Sequence, residues 1–471
     1  LGFSQSVGTM ESPPPKRNVG HGGEDGISAL PDHLLLDILE RLDLREAVRA
    51  GALSTRWRHL PSHLSRVHLD VAHFHGATPL EVMDAFTGAV RALLTRVPPA
   101  EGVCGSSALK VLFLSFYTSS PHLSSIGRLV EGIVNLGQTE CLEFCISPAP
   151  PDRRGCEIVI GQEFMAFSRA YPVAFSWLTR LTLEYHAFGH SGITDLISTC
   201  GRLRHLNLRF CRLLDPLSTL KIDVPCSELQ ELYFIGFLCT RIELVSVPKL
   251  RQVVCQHWHL ENPPVRFGYV PELRGVILYS KAKAWQEPFA LSECLSRSAR
   301  NLSTLTLCFG DQMIWIQPEH PKQLTPIFRN LTTVFLFGIF SECDLSWTLF
   351  ILEAAPALQD FALSRHSCAK TPKDSAEKTN VVWEPSKDLK HLNLKVLLIF
   401  GCEDEDKVTN YIRLVMERAV GLLKIKLYGG SPCTYCDADN LERSMAEKAS
   451  RHRIKEQLTH GSSSSVEIII C

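Results

Sequence analysis

From residue 109 onward, apolar residues recur in the pattern Leu-x-x-Leu-x-Leu, with other large apolar residues sometimes in place of leucine. The alternation within each copy predicts a short strand with one buried face. Successive copies begin roughly 21 to 39 residues apart, which indicates an internal repeat rather than unrelated strands. The copies begin at Leu109, Thr139, Leu178, Leu203, Leu229, Leu250, Leu273, Leu302, Leu331, Leu358, Leu394 and Leu422, and the copy at Thr139 is the weakest.

A single copy is weak evidence, because it also describes any half-buried strand, but about a dozen in order are typical of leucine-rich repeats. Each unit is a strand followed by a helical or irregular return segment, and it cannot cover its own apolar side until neighbours stack against it. The sequence therefore predicts an α/β protein in which an irregular leucine-rich-repeat solenoid carries a parallel sheet on its concave side.

Alternation along the predicted strands assigns residues to the core or to the open side of the sheet. Because Leu181 and Leu183 point into the core, Arg180 and Glu184 must point to the open side. The alternative is that these residues are solvent-exposed and have no binding function. Exposed aromatic residues gathered on one surface favour a binding function. The candidate target-binding residues are Arg180, Glu184, His205, Arg209, Glu231, Tyr233, Trp258 and Tyr279.

Residues 25–60 have the pattern of three short helices. The large apolar residues of the first helix share one face, because they recur at intervals of three and four. They are Leu34, Leu35, Ile38, Leu39 and Leu42.

Capping signals set the predicted ends of these helices. Pro31 suits the first turn of the first helix, and Asp43 with Glu46 can cap a second helix over Leu44–Leu53. Ser54 can cap a third helix, which we expect Pro61 to end.

The same stretch resembles the F-box, the adaptor-binding module of Skp–cullin–F-box ubiquitin ligases. The resemblance rests on Leu30-Pro31, Ile38-Leu39, Arg49 and the run Ser54-x-Arg56-Trp57-Arg58-x-Leu60. It implies that Trp57 anchors the third helix and that a set of apolar residues contacts a Skp-type adaptor. That set is Leu30, Pro31, Leu34, Ile38, Leu39 and Leu53. The alternative is a three-helix cap whose apolar stripe packs on the rest of the chain.

Residues 389–427, with a strand pattern, a helical Val408–Ala419 and a second strand pattern, are similar to the FBD-type segment of plant F-box proteins. We expect a charged helix or tail over residues 436–456 and one last short strand before Cys471.

These patterns divide the chain into five predicted regions. They are a disordered N-terminal segment at 1–24, an F-box at 25–70, the repeats at 71–388, the FBD-like segment at 389–430 and a tail at 431–471. Residues 366–388 are expected to form a polar, mobile loop before the FBD-like segment.

Composition narrows the function classes. The 49 basic and 50 acidic residues give a net charge of −1, which provides no field to attract nucleic acid or an anionic membrane. No apolar stretch is long enough for a membrane helix, and no secretory signal pattern is present. We expect an intracellular protein, nuclear or cytoplasmic, whose 17 cysteines are free thiols.

Candidate catalytic and metal sites are weak. Cys433 and Cys436 form a lone C-x-x-C, His257 and His259 lack a further ligand nearby, and Glu403–Asp406 is an ordinary acidic turn. We therefore expect a non-catalytic protein without a cofactor or a metal.

Two functions remain open. In the first, the chain is the substrate receptor of a ubiquitin ligase: it binds a Skp-type adaptor, and through it a cullin, and it holds an unknown target protein on the repeats. In the second, it is a repeat scaffold or a small-ligand sensor. The jasmonate and auxin receptors share this general plan and bind their ligands in pockets of the repeats. Basic residues on the concave side of those receptors also hold an inositol phosphate. The early basic residues of the concave side, Arg180 and Arg209 with His205, are too few to predict that cofactor.

Overall fold

The computed structural model comprises two compact units, Leu1–Arg66 with Pro99–Ala108, and Val67–Pro98 with Leu109–Cys471. It describes residues 30–42, 44–52, 54–95, 109–150, 155–281, 285–312, 314–340, 343–366, 381, 383–401, 405–429, 440–460 and 465–471. The predicted N-terminal segment 1–24, Leu53, most of the predicted loop 366–388, and the pair Cys433 and Cys436 fall outside these ranges.

The first unit contains helix α1 (Asp32–Leu39), helix α2 (Leu44–Ala50) and a 3₁₀ helix at Trp57–His63. Ser54 Oγ accepts a hydrogen bond of 3.2 Å from the Trp57 amide at the start of the 3₁₀ helix, but the N-cap position of that helix is Arg56 and not the predicted Ser54. α1 is amphipathic, and Pro31 occupies its N-cap position.

Two predicted helix ends in this unit are wrong. The second helix ends at Ala50, before the predicted end at Leu53. Pro61 does not end the third helix but lies inside it. The helix is of the 3₁₀ type, whose φ of about −50 to −70° is the value that a proline ring imposes, so Pro61 fits its interior.

The second unit alternates strands with helical or extended return segments. Its helices are α3 (Pro79–Leu94), α4 (Ser120–Val134), α5 (Glu157–Ala170), α6 (Pro172–Trp177), α7 (Gly192–Thr199), α8 (Leu291–Cys294), α9 (Pro321–Phe328), α10 (Leu349–Ala354), α11 (Glu405–Arg418) and α12 (Asn440–Thr459). Two short 3₁₀ helices lie at Val71–His73 and Ser346–Thr348. α11 and α12 confirm the helices expected in the last part of the chain.

The strands of the described residues begin at Arg66 and recur as far as Ile470. They are β1 (Arg66–Asp70), β2 (Val111–Tyr117), β3 (Cys141–Ser147), β4 (Leu178–Glu184), β5 (Ala187–Phe188), β6 (His205–Arg209), β7 (Arg212–Leu213), β8 (Thr219–Asp223), β9 (Glu231–Ile235), β10 (Arg241–Ser246), β11 (Gln252–Gln256), β12 (Val265–Tyr269), β13 (Gly275–Tyr279), β14 (Phe289–Ala290), β15 (Thr304–Gln312), β16 (Ile316–Gln317), β17 (Thr333–Phe340), β18 (Asp360–His366), β19 (Val396–Phe400), β20 (Lys424–Tyr428) and β21 (Glu467–Ile470).

Within the described residues, the main sheet has 14 strands in the order β1-β2-β3-β4-β6-β9-β11-β13-β15-β17-β18-β19-β20-β21. From β2 onward every neighbouring pair is parallel. The apolar positions of neighbouring repeats are in register, as in Leu181 opposite Leu206 and Leu206 opposite Leu232, and all three are fully buried. The predicted repeat strands and their parallel sheet are thus confirmed, including the weak copy at Thr139, which forms β3.

The return segments of the middle repeats differ from the helical or irregular chain that the sequence predicts. They form a second, three-stranded parallel sheet in the order β12-β10-β8. Leu220, Ile222, Ile242 and Leu244 are buried and their neighbours in the strands are not, so these segments have the two-residue period of half-buried strands. Helices remain the return segments in the first and last repeats.

Candidate functional site

The apolar stripe of α1 is divided between core and surface. Leu35 and Leu39 are fully buried, whereas Leu34, Ile38 and Leu42 are 40%, 38% and 39% exposed. The exposed residues follow one another at intervals of four and therefore form a line along one side of the helix and its end. This line is an apolar surface that the part of the chain described by the structure leaves accessible.

The other residues predicted to contact an adaptor differ in accessibility. Pro31 is exposed and Leu30 is half-buried at the start of α1. Leu39 and Trp57 are buried, so Leu39 cannot contact a partner directly as predicted, because α1 turns it to the core side with Leu35. The exposed Val48 of α2 was missed by the sequence analysis.

Polar contacts hold α1 in place within the first unit. The Arg56 guanidinium donates to Asp32 Oδ1 through Nε at 2.9 Å and through Nη2 at 2.6 Å, which joins the start of α1 to the chain before the 3₁₀ helix. At the other end, Glu40 Oε1 accepts hydrogen bonds from the amide and the hydroxyl of Ser65. These contacts orient the exposed line of α1 without covering it.

The second candidate surface is the open face of the main sheet, formed by the strand residues that alternate with the buried ones. In its first half, the predicted residues meet as cross-strand pairs: Arg209 Nη1 lies 2.9 Å from Glu184 Oε1, and His205 Nδ1 lies 2.8 Å from Glu231 Oε2. Arg180 Nε lies 3.4 Å from Glu143 Oε2, a partner that the sequence analysis did not name. We call these residues, with Tyr233, the polar half of the open face.

Hydrogen bonding changes the titration of two groups in the polar half. Burial favours the neutral form of Glu231, but the close contact with His205 Nδ1 and the hydrogen bond from the Tyr233 hydroxyl outweigh it and hold the pKa of the carboxyl below its usual range. Burial and the hydrogen bond to Glu231 raise the pKa of Tyr233 to about 12. The carboxylate of Glu231 and the hydroxyl of Tyr233, 2.9 Å apart, are thus fixed in their charged and neutral forms.

Trp258 is not on the open face, and its predicted exposure is wrong. Strand β11 ends at Gln256, and His257 has a φ of 57°, so the strand alternation does not continue to Trp258. The Trp258 ring packs edge-on against Trp315 at 5.0 Å, and its Nε1 donates to Asn262 Oδ1 at 2.9 Å. Tyr279 does lie in register with Gln256 at the end of β13.

The second half of the open face is aromatic, and the sequence analysis missed it. Phe335 and Phe337 of β17 stack at 5.8 Å, and Phe400 of β19 stacks on Tyr428 of β20 at 4.5 Å. We call these four residues the aromatic half. The signal was present, because the alternation that exposes Arg180 also exposes the residues on either side of the buried Leu336 and the residue after Ile399.

The turn after several main-sheet strands requires a left-handed backbone. Gly236 and Gly401 have positive φ directly after β9 and β19, and Gly310 and Gly338 have it at irregularities within β15 and β17, as glycine does without strain. Tyr185, Phe210 and His257 adopt the same conformation with values of 59°, 51° and 57°. Each of these three amides still donates to the last residue of the neighbouring strand, so the turn is part of the sheet ladder.

The described residues contain no group of three or more His, Cys, Asp or Glu side chains that could hold a metal ion. His257 follows the end of β11 and contacts the Tyr279 ring at 4.7 Å.

Buried cysteines such as Cys200 and Cys211 have pKa values raised to about 12 by burial, so these thiols are unreactive. Among the described helices, none combines the length and the hydropathy that crossing a membrane requires.

Two family models match the chain. The model described as At1g61320/AtMIF1, LRR domain, matches residues 165–466, which is more than half of the chain. The chain belongs to this leucine-rich-repeat family. The F-box domain model matches residues 27–68, so the chain is an F-box/LRR protein in which the F-box corresponds to the three helices of the first unit.

Similar proteins from Arabidopsis thaliana combine the same modules. F-box/FBD/LRR-repeat protein At1g78750 is 29% identical over 202 residues, covering 40% of this chain and 43% of that protein. F-box/FBD/LRR-repeat protein At1g13570 is 27% identical over 237 residues, covering 48% of this chain and 52% of that protein. F-box/FBD/LRR-repeat protein At5g18770 is 50% identical over 52 residues, or 11% of each. The chain thus spans about half or less of the curated relatives that it matches.

Proposed function

We propose that this F-box/LRR protein is the substrate-recognition subunit of a Skp–cullin–F-box ubiquitin ligase. In this role the F-box binds a Skp-type adaptor, and through it a cullin, and the repeats bind a target protein. The observation that carries the proposal is the exposed line of Leu34, Ile38 and Leu42 on α1, beside the buried Leu35 and Leu39. An exposed apolar line on a helix whose core side is already filled is typical of a docking surface.

The contribution of such a subunit to ubiquitin transfer is proximity. A target held on the repeats while the F-box is bound to the adaptor lies at a high effective concentration beside the conjugating enzyme. This role requires no nucleophile or metal from the chain, and the predicted non-catalytic character fits it.

We propose the open face of the main sheet as the target-binding surface. The aromatic half offers large, rigid rings that can cover apolar groups of a target, and aromatic residues supply many binding hot spots. The polar half offers paired charges that fix orientation more than they add affinity. Most residues predicted to bind a target keep that role in this proposal, and Trp258 is removed from it. Those that keep it are Arg180, Glu184, His205, Arg209, Glu231, Tyr233 and Tyr279.

Binding to a purified Skp-type adaptor tests the first half of the proposal. The full chain should retain the adaptor on an affinity resin, and Leu34→Asp with Ile38→Asp should abolish retention, because two charges would be buried at the interface. The matched control is Leu80→Asp, since Leu80 is an exposed leucine at the start of α3. No retention of the adaptor by the unaltered chain, or equal retention by the double variant, would refute the adaptor role.

Affinity purification from plant cells with and without a proteasome inhibitor tests the second half. Substrate candidates are proteins whose recovery on the chain depends on the inhibitor when Leu34 and Ile38 are intact, and no longer depends on it in the Leu34→Asp, Ile38→Asp variant. Phe335→Ser with Phe400→Ser should then lose these proteins while keeping the adaptor. A double variant that keeps the same candidates would exclude the aromatic half as the target-binding surface.

A further inference from the structure

Three large aliphatic side chains are exposed at the edge where strands β19 and β20 begin. Leu392, Val420 and Leu423 are 67%, 57% and 55% exposed. Leu392 and Val420 are equivalent, because each lies two residues before the first buried leucine of its repeat, Leu394 or Leu422. The two repeats are in direct contact here, since a Cβ on Gly421 would overlap the Leu392 carbonyl oxygen. We call Leu392, Val420 and Leu423 the edge patch.

Earlier repeats do not place large aliphatic residues at the same positions. The equivalent of Leu392 is Pro356 one repeat earlier, and the exposed Arg329 and Arg300 two and three repeats earlier. The residues aligned with Leu423 by successive backbone hydrogen bonds are Lys395, Gln359, Thr332 and Ser303. The repeat fold therefore accepts polar side chains at this edge, and its own packing does not require the apolar ones.

The backbone beneath the edge patch is held by specific hydrogen bonds. The buried His391 ring donates through Nε2 to the Ala355 carbonyl at 2.9 Å and accepts through Nδ1 from the Leu394 amide at 3.0 Å. Asn393 Nδ2 donates to the Pro356 carbonyl at 2.9 Å. A partner that binds here meets a surface that is already ordered, which lowers the entropic cost of association.

Lysines surround the edge patch. Lys395 Nζ lies 3.5 Å from the Leu392 carbonyl oxygen, and Lys387 and Lys390 are exposed in the preceding turn. Among the described residues, no carboxylate lies within ion-pair distance of these three lysines. The exposed Asp388 reduces their excess charge but does not cancel it. Two further carboxylates lie close to the patch and are paired with other cations, Glu417 with Arg418 and Glu467 with Lys424. The patch is therefore apolar at its centre and cationic around it.

We propose that the edge patch docks an acidic protein segment that carries large apolar side chains. The apolar side chains of the segment cover Leu392, Val420 and Leu423, and its carboxylates face Lys387, Lys390 and Lys395. Arg329 and Arg300 extend the cationic row toward the middle repeats. This site lies where strands β19 and β20 begin and shares no residue with the open face, so it is distinct from the proposed target-binding surface.

Fluorescence anisotropy with the full chain tests the proposal. The probe is a labelled synthetic peptide of about 15 residues in which glutamates alternate with leucine and phenylalanine. Leu392→Glu with Val420→Glu and Leu423→Glu should weaken binding by about tenfold or more, because buried apolar contacts become like-charge contacts. The matched control is Leu217→Glu, since Leu217 is a leucine of the middle repeats, outside the edge patch, that is 77% exposed. That variant should bind within about twofold of the unaltered chain.

Charge reversal and lipid vesicles give independent readouts. Lys390→Glu with Lys395→Glu should weaken binding of the acidic peptide and reduce its salt dependence, because fewer screened attractions remain. Circular dichroism checks that each variant is folded. Equal peptide binding by the triple variant and the unaltered chain overturns the proposal. Binding of the unaltered chain to phosphatidylserine vesicles without binding to the peptide also overturns it, in favour of a lipid surface.

Discussion

The ring of Tyr185 stacks on the ring of Phe210, with centroids 5.2 Å apart and an angle of 21° between the planes. Both residues have the left-handed backbone that the equivalent turns of other repeats assign to glycine. Bulky residues in this conformation cost about 1–2 kcal/mol each. The stacked pair continues the open face beyond the ends of β4 and β6. The folded protein therefore includes the conformational cost of the left-handed backbone at both residues of this pair.

Substitutions at Phe210 should show this cost. Phe210→Gly and Phe210→Ala both remove the ring, but only glycine relieves the left-handed backbone. We expect the glycine variant to be more stable than the alanine variant by about 1 kcal/mol in denaturant unfolding. Phe113 of β2, which has an ordinary strand backbone, provides the control: there alanine should be the more stable of the two. The same order at both positions would contradict the backbone argument.

Because α1 has a core side and a surface side, substitutions at neighbouring residues should reduce the free energy of unfolding by different amounts. Leu39→Ala should destabilise the F-box by about 2–4 kcal/mol, because it leaves a cavity beneath a fully buried side chain. Ile38→Ala should cost less than about 1 kcal/mol, because its side chain is already partly in water. Hydrogen exchange of the α1 amides measures both variants in the full chain. Equal exchange rates in the two variants would show that α1 is not oriented as described.

The ion pair between Arg209 and Glu184 should contribute little to stability. Both side chains are partly exposed, and solvent screens their attraction. A double-mutant cycle with Arg209→Met and Glu184→Gln should give a coupling free energy of about 0.2–1 kcal/mol that decreases as salt is added. A coupling above about 2 kcal/mol that salt does not change would indicate a desolvated pair and would contradict this assignment.

His186 should make the stability of the repeats depend on pH. Burial lowers its pKa to about 4, and its Nδ1 lies 2.7 Å from the Glu184 carbonyl oxygen. The unfolded chain binds a proton at this histidine at about pH 6.5, and the folded chain does not. The free energy of unfolding therefore has its full value, as far as His186 affects it, above that pH. It should fall by about 3 kcal/mol as the pH decreases from 6.5 to 4.

Thermal unfolding over this pH range checks the His186 prediction. His186→Phe removes the titrating ring and keeps the aromatic contacts with Phe164 and Phe188, so its midpoint should depend less on pH. His190→Phe, at an exposed position nearby, should keep the dependence of the unaltered chain. Equal slopes for the His186 variant and the unaltered chain would assign the acid sensitivity to other groups.

The open face shows how far strand alternation predicts which side chains lie on one face of the sheet. It places Arg180, Glu184, His205 and Arg209 correctly, because each lies within a regular strand. It fails at Trp258, where the left-handed backbone of His257 ends the alternation before the sequence pattern does. The ion pair of Arg180 with Glu143 could not be read from one strand, since it depends on the register between β3 and β4.

By itself, the sequence determined the repeats, the strand in each of them, the parallel sheet and the F-box, because two-residue and helical periods are local properties of the chain. Only the tertiary structure decided which side of α1 is filled, which return segments become strands, and where Leu392, Val420 and Leu423 meet. These features depend on contacts between residues that are distant in sequence or in different repeats. The energies of these contacts depend on side-chain packing and strand register, and a local sequence pattern does not determine either of them.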